Sequence, residues 1–452
     1  MNEPANVKDR SAFRSIFLIA IFAWAIRVIV AAMAYGGRDI VGILWPRGIE
    51  PLGIAKSLLE GSGFSSPFAV ATGPTAFLPP VYPVILAAIE KVFGIASKSS
   101  AWAILTMQCT FSALTCVAIY YLALHLFNHR IAQRAAWGWA LFPYAVLLPT
   151  NIIWESSLSA LMMVTGVLIV ARTLTSDSGM RWAAMGAYFS FACLVNAAFL
   201  LLLPALLMYS VLNRDTGRRT IWCAAVFLTC LLPWTLRNYV VFNKLVPLRD
   251  NFALELWIGN REGATTEFTP EIHPAFSASE LEEYQRLGEI GYMSRKLDLS
   301  AKFIREARLV FLRNTAERIV AYWTLNLHVF WLMVPVVSFT GLAGIWLLMR
   351  RSHPLAWLLG IPLLIYPLPY YLTHPDLRYL HPLQPLLVIL AAYATTVSFG
   401  KQRGSTECVA MTSDEGNGSA DSLRSRKFFH LKPNDKWRTN TPNEYSRVCS
   451  LP

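Results

Sequence analysis

GGRDIVGILWPRGIEPLGIAKSLLEGSGFSSPFAVATGPTAFLPPVYPVILAAIEKVFG, residues 36–94, follows the first long apolar run and decides how the rest of the chain is read. Pro51 suits the first position of a helix, and Gly61 is placed to end that helix after Glu60. Glu50 therefore sits at a helix N-terminus. There the partial positive charge of the helix favours the carboxylate, so Glu50 is expected to stay ionised and able to accept a proton. A loop punctuated by Gly and Pro leads to a short apolar helix from about Tyr82 to Phe93, too short for a bilayer that needs about 20 residues. Such a helix lies in or on the membrane interface and holds the loop against the bilayer surface.

Outward from this stretch the chain reads as an all-α polytopic membrane protein. Hydrophobic residues make up 55% of it and charged ones 15%, with a mean hydropathy of +0.42, outside the range of a soluble domain. The net charge of +12 is spread in short clusters between apolar runs rather than gathered in one patch, which argues for membrane topology and against nucleic acid. The run 15–35 has Ala32-Met33-Ala34 near its end, the small-residue pattern of a signal-peptide cleavage site. It is long for a signal segment, and we read it as an uncleaved first span with a cytoplasmic N-terminus. Further apolar runs at about 101–126, 134–149, 153–172, 181–196, 198–212, 220–237, 323–349, 354–372 and 380–399 complete about ten spans. Alternation then leaves Arg130 and Arg134, Arg172 and Arg181, Arg214, Arg218 and Arg219, and Arg350 and Arg351 inside, as the positive-inside rule demands. Two long loops, about 36–100 and 238–322, face outward. The second carries a charged helical stretch from Ser279, a plausible cap, to about Arg318, with amphipathic spacing at Leu281, Tyr284, Leu287 and Ile290. Residues 400–452 read as a disordered cytoplasmic tail, whose Arg424, Arg426, Lys427, Lys432 and Lys436 are able to touch anionic lipid. No pair among the seven cysteines has CxxC or zinc-ligand spacing, so neither disulfides nor a cysteine metal site is expected.

The run Glu50, Ile54-Ala55, Ser57-Leu58, Gly61, Gly63-Phe64, Pro67-Phe68, Gly73-Pro74-Thr75-Ala76, Pro80, Tyr82-Pro83 and Phe93-Gly94 resembles the first external loop of bacterial membrane glycosyltransferases. These are GT-C fold enzymes of the glycosyltransferase 39 and RgtA/B/C/D-like type. PWTLRN, residues 233–238, resembles the PW-x-x-RN signature that closes the helix before their large external loop. HPDLRYLHP, residues 374–382, resembles an H-P-x-x-RY-x-x-P pattern that recurs in them. The resemblance covers most of residues 15–399 and implies a GT-C bundle, a polyprenyl-phosphate sugar as donor, and an acid of the first loop as catalytic base. One departure stands out. In the aminoarabinose transferases a lysine before the Pro-Pro of this loop contacts phosphate, whereas here Leu78 precedes Pro79-Pro80.

Sugar transfer from a lipid phosphate to a hydroxyl needs a base for the acceptor proton and cations for the departing phosphate, both at one membrane face. Glu50 is the first candidate base, against the alternative of a solvated loop carboxylate. Asp39, just after the first span, is its nearest rival and lacks a surrounding motif. Glu155 falls about one turn inside the fourth span, where an acid either serves the site or complements the dipole of its own helix. The resemblance tilts it toward acceptor binding. Arg378 is the best phosphate candidate, with Tyr379 and His374 beside it. The alternative is that Arg378 pairs with Asp376 and only braces its turn. Arg237, which would also serve as a helix end, and Arg27, which would otherwise snorkel to the outer interface, are weaker. His374 and His381 read as local hydrogen-bonding residues rather than metal ligands. There is no DxD motif. No cofactor is called for, and a divalent metal, which some GT-C enzymes use, stays open.

Two functions fit this reading. The first is an inverting glycosyltransferase of the inner membrane, hexosyl or pentosyl, acting on a lipid, glycan or protein acceptor at the external face. The second is a transporter or flippase of a lipid-linked substrate, for which internal repeats and midplane ionisable groups would be expected. The acids here sit near the external face instead.

Overall fold

The computed structural model describes residues 5–397 apart from 69, 214–215, 325–331 and 354–355, and leaves out the side chains of 5–13 and 213. The tail expected over 400–452 lies outside the described residues. Among the described residues six helices are long and apolar enough to cross a membrane: Arg14–Tyr35, Lys98–Leu126, Ser156–Thr173, Gly217–Phe242, Met333–Arg350 and Leu377–Val397. The remaining apolar runs form shorter or broken helices. The run 134–149 is divided into His129–Leu141 and Pro143–Asn151, because Phe142 precedes a proline and takes an extended conformation, as the Pro Cδ demands of its neighbour. The run 354–372 is interrupted at Tyr366 and Pro367, between Ala356–Ile365 and Leu368–Leu372.

In chain order α1 is Ala5–Tyr35, α2 Ile49–Leu59, α3 Val81–Phe93, α4 Lys98–Leu126, α5 His129–Leu141 and α6 Pro143–Asn151. They are followed by α7 Ser156–Thr173, α8 Gly179–Val195, α9 Leu202–Asn213 and α10 Gly217–Phe242. The second loop contributes α11 Phe252–Gly259, α12 Ala278–Glu306 and α13 Arg308–Thr324. Helix α4 packs against α1, α5 and α7, and α8 runs along α10. That last approach depends on Gly186, where a Cβ would stand 2.3 Å from the Cys223 carbonyl oxygen. Arg27 is sealed inside this bundle. Its guanidinium donates to Ser112 Oγ at 2.8 Å and to the Ala23 carbonyl at 2.7 Å, with longer bonds to the carbonyls of Trp139, Ala140 and Ala145. It therefore does not snorkel outward; all three of its guanidinium nitrogens donate inside the bundle.

The two loops form one unit on the bundle. Trp234 Nε1 donates to the Leu248 carbonyl at 2.7 Å, and Asn238 Nδ2 to that of Val246 at 3.0 Å. Arg237 donates to the carbonyls of Thr75 and Phe64, both at 2.7 Å. The PW-x-x-RN residues thus hold both loops against the end of α10. From the other side Glu289 accepts hydrogen bonds from Thr75 Oγ1, the Ala76 N–H and Tyr284 OH. Phe68, Phe77, Leu254, Tyr284 and Tyr292 share the core between the loops. The helical stretch expected from Ser279 to Arg318 starts one cap earlier, at Ser277, and ends at Glu306 before α13 takes over. It also turns sharply at Gly288, whose φ of 69° is open to glycine and strained for other residues. That turn brings Glu289 round to the first loop.

Candidate active site

Beneath the joined loops lies a cavity of about 460 Å³. Its wall is assembled from separate stretches of chain: Arg47 and Glu50 from the first loop, Trp154 and Glu155 before α7, Arg249, Glu255 and His273 from the second loop, and Asp376, Arg378 and Tyr379 at the start of the last span.

Glu50 sits in the first turn of α2, as its place before Pro51 predicts, but its side chain is buried rather than solvated. Burial pushes its carboxyl above the ordinary value, with Arg378 the main opposing influence. The helix dipole expected to favour the Glu50 carboxylate is therefore opposed by burial. Desolvation of a buried carboxylate outweighs a dipole that contributes about 0.3–1 kcal/mol. His273 Nε2 lies 3.7 Å from Glu50 Oε1. The Ala275 N–H donates to His273 Nδ1 at 3.1 Å, which leaves the proton of a neutral ring on Nε2, facing Glu50. Burial holds His273 neutral, lowering its pKa to about 4, so this contact is not an ion pair.

Glu255 behaves oppositely. Burial would raise its pKa, but the hydrogen bond and charge of His374, at 2.9 Å, bring it down to about 2. Asn251 Nδ2 also donates to it at 3.1 Å. Glu155 lies just before α7 rather than a turn inside the span. Burial raises it to about 7 against the pull of its backbone hydrogen bonds, Arg249 and Arg378, and Asn196 Nδ2 reaches it at 3.3 Å. Of the three glutamates in this cavity, two are thus held above the ordinary value and one below it.

Arg378 lies face-on to Trp154, its Cζ 4.4 Å from the ring centre, and donates from Nη2 to Tyr379 OH at 3.3 Å. Its Nε stands 3.7 Å from Asp376 Oδ2, too far for a hydrogen bond, and finds no hydrogen-bond partner among the described residues. Arg249 Nε is likewise buried with no such partner among them. Leu78 lines the cavity, so this position supplies no cation, and Arg249 and Arg378 bring charge to the same space.

Of the residues singled out in the sequence, Glu50, Glu155, Arg378 and Tyr379 line the cavity, and His374 stands behind Glu255. Arg27 and Arg237 do not; both are committed to backbone carbonyls. Asp39 lies outside as well, capping a short helix by accepting from the Gly42 N–H at 3.1 Å. Sequence reasoning missed Arg249, Glu255 and His273. Arg249 carried a weak signal, a cation in the external loop soon after the PW-x-x-RN signature.

Residues 78–236 match the family model of dolichyl-phosphate-mannose-protein mannosyltransferases. Among solved structures, the oligosaccharyltransferase AglB from Archaeoglobus fulgidus, in complex with an inhibitory peptide and a dolichol-phosphate, is 14% identical. It aligns over 92% of this chain and 53% of its own with a TM-score of 0.53. The oligosaccharyltransferase of the same organism tethered with an acceptor peptide gives 14% identity, 86% and 50% coverage and a TM-score of 0.51. ArnT from Cupriavidus metallidurans, bound to undecaprenyl phosphate, gives 15% identity, 88% and 63% coverage and a TM-score of 0.49. The chain thus spans between half and two thirds of the length of these proteins. No curated protein sequence matches it. The fold is that of the GT-C membrane glycosyltransferases, in an all-α, multi-pass chain.

Proposed function

We propose that this GT-C-fold membrane protein is a glycosyltransferase that moves a sugar from a polyprenyl-phosphate donor to an acceptor hydroxyl, by inversion, at the external face of the inner membrane. The observation that carries the reading is the meeting of one buried carboxyl, Glu50, with two arginines that keep unused N–H donors, Arg249 and Arg378, in a single cavity. Glu50 takes the proton of the acceptor hydroxyl as its oxygen bonds to the anomeric carbon. The bond from that carbon to the phosphate oxygen breaks on the opposite side, and its electron pair leaves with the phosphate. Arg249 and Arg378 meet the growing negative charge with forked donors in a site poor in water, where such contacts strengthen in the transition state. Glu155, near neutrality in its proton affinity, is suited to exchange hydrogen bonds with acceptor hydroxyls. A dolichol-phosphate in the AglB complex supports a lipid-phosphate donor here.

Glu50→Gln is expected to keep the fold and donor binding and to lower turnover by about 10²- to 10⁴-fold, because the amide cannot take the proton. Asp39→Asn is expected to turn over at the wild-type rate. Purified protein in which Asp39→Asn is dead and Glu50→Gln is not would assign the base to the wrong acid.

A further inference from the structure

Behind the helix that carries Glu50 lies a second hollow of about 530 Å³. Helix α2 is the partition: Glu50 faces the first cavity, Leu52, Lys56 and Glu60 line the second, and Pro46 belongs to both walls. Glu90, from α3, also lines the second hollow and is only 1% exposed. One of its carboxyl oxygens accepts from the Ala96 N–H at 3.1 Å, while the other is buried with no hydrogen-bond partner among the described residues. Lys56, the cation in this wall, pairs at 3.7 Å with Glu60 instead. Burial accordingly pushes the Glu90 carboxyl above the ordinary value.

A buried acceptor without a donor is a standing cost that a ligand bearing O–H groups would relieve. Trp45, a half-buried indole packed beside the core, lies in the same wall. A ring with one C–H face and several equatorial hydroxyls satisfies both at once. A phosphate headgroup would meet a carboxyl and an already paired lysine, and an acyl chain would leave Glu90 unsatisfied. We propose that this second hollow is a saccharide-binding site, in which a sugar ring lies on Trp45 and donates hydroxyl hydrogen bonds to Glu90, and that the sugar is part of the acceptor. Only the assignment to the acceptor rests on the glycosyltransferase reading.

The test is saturation-transfer NMR on the full chain in a detergent without a sugar headgroup, with methyl β-glucopyranoside, methyl α-mannopyranoside and N-acetylglucosamine as probes. At least one probe is expected to bind. Trp45→Ala and Glu90→Ala should each weaken it about tenfold or more, Glu90→Gln should keep part of the affinity because its amide oxygen still accepts, and Glu50→Gln should leave binding unchanged. Thermal unfolding of each variant identifies any that fails to fold; if Glu90→Ala does, Trp45→Ala and Glu90→Gln decide. The site is overturned if no probe binds the wild type, or if binding survives Trp45→Ala and is lost in Glu50→Gln, which would put the sugar in the first cavity. Saccharide binding as expected, together with undiminished transfer by Glu50→Gln, would instead remove the base assignment and leave this site standing.

Discussion

Glu50, the proposed base, can take a proton only in its unprotonated form, and burial works against that form. Its pKa is raised by desolvation and pulled back chiefly by Arg378. A base with a raised pKa loses activity as pH falls through that value, so the acid limb of kcat/KM should lie above the ordinary 4.5 of a glutamate. Removing Arg378 removes the opposing cation and should move the limb further up. Profiles are best recorded with Glu155→Gln in the background, since Glu155 itself titrates at about 7; a limb at or below the ordinary value would place the proton acceptor elsewhere. Arg378→Ala should also lose donor affinity and about 2–4 kcal/mol of transition-state stabilisation. Arg378→Lys should recover only part, because a point charge lacks the forked donor pair. Unchanged donor binding and single-turnover rate in Arg378→Ala would return this residue to bracing its turn with Asp376. How far the sequence carries at this scale follows from what position encodes. Depth in the membrane is legible from hydropathy, so Glu50, Glu155 and Arg378 emerge as candidates at the right level. Direction is not, so Arg27 and Arg237 emerge with them although their donors turn to backbone carbonyls. Arg249, Glu255 and His273 sit in a loop whose path is set by contacts across the chain, which no local spacing reveals.

At the scale of elements, the site exists because two loops distant in sequence are tied into one roof. Arg237 binds Thr75 and Phe64 from the end of α10, and Glu289 binds Thr75 and Ala76 from the turn at Gly288. Both ties converge on the stretch that also supplies Phe77 and Leu78 to the cavity wall. Hydrogen bonds from a charged donor are each worth about 1.5–3 kcal/mol when lost. Arg237→Ala is therefore expected to lower the unfolding midpoint, to open the first loop to protease, and to reduce turnover with little change in the pH profile, since Arg237 touches neither Glu50 nor the cavity. Arg237→Lys should restore one of the two bonds. If Arg237→Ala weakened donor binding while the midpoint and loop protection stayed put, the signature arginine would be a phosphate ligand after all. The sequence anticipates the helix around Pro51 and the short helix near Tyr82 because proline, glycine and apolar spacing are local signals. It does not anticipate the turn at Gly288, since a lone glycine within a charged helical pattern is compatible with continuing the helix, and only the need to carry Glu289 to Thr75 selects the left-handed conformation.

The whole molecule is polarised along the bundle axis, and that polarity is what a membrane would read. Glu155 and the cavity stand at the start of α7, and Arg172 stands in the last turn of this 18-residue helix, whose rise of roughly 27 Å matches the hydrocarbon core of about 30 Å. Around that far end the basic residues gather from elements far apart in sequence. Arg172 and Arg181 line one hollow with His125 at the end of α4, and Arg219 at the start of α10 pairs with Asp177 at 2.7 Å. Arg134 donates to Thr396 at 2.8 Å, and Arg351 reaches Tyr393 of the same last span at 3.4 Å. By the positive-inside rule the proposed topology has this end in the cytoplasm, where the cost of moving clustered arginines across the bilayer is never met. On the function proposed above the cavity belongs on the external side, where the proposed polyprenyl-phosphate donor in the outer leaflet would present its phosphate. Two exposed serines test this directly in a variant freed of native cysteines. Ser99, before the bulk of α4 at the cavity end, should as Ser99→Cys react with an impermeant maleimide added outside intact cells. Ser178, between α7 and α8, should as Ser178→Cys react only after the membrane is opened. The reverse pattern would turn the molecule over and leave the cavity facing the cytoplasm, where neither an external acceptor nor an outer-leaflet donor could reach Glu50.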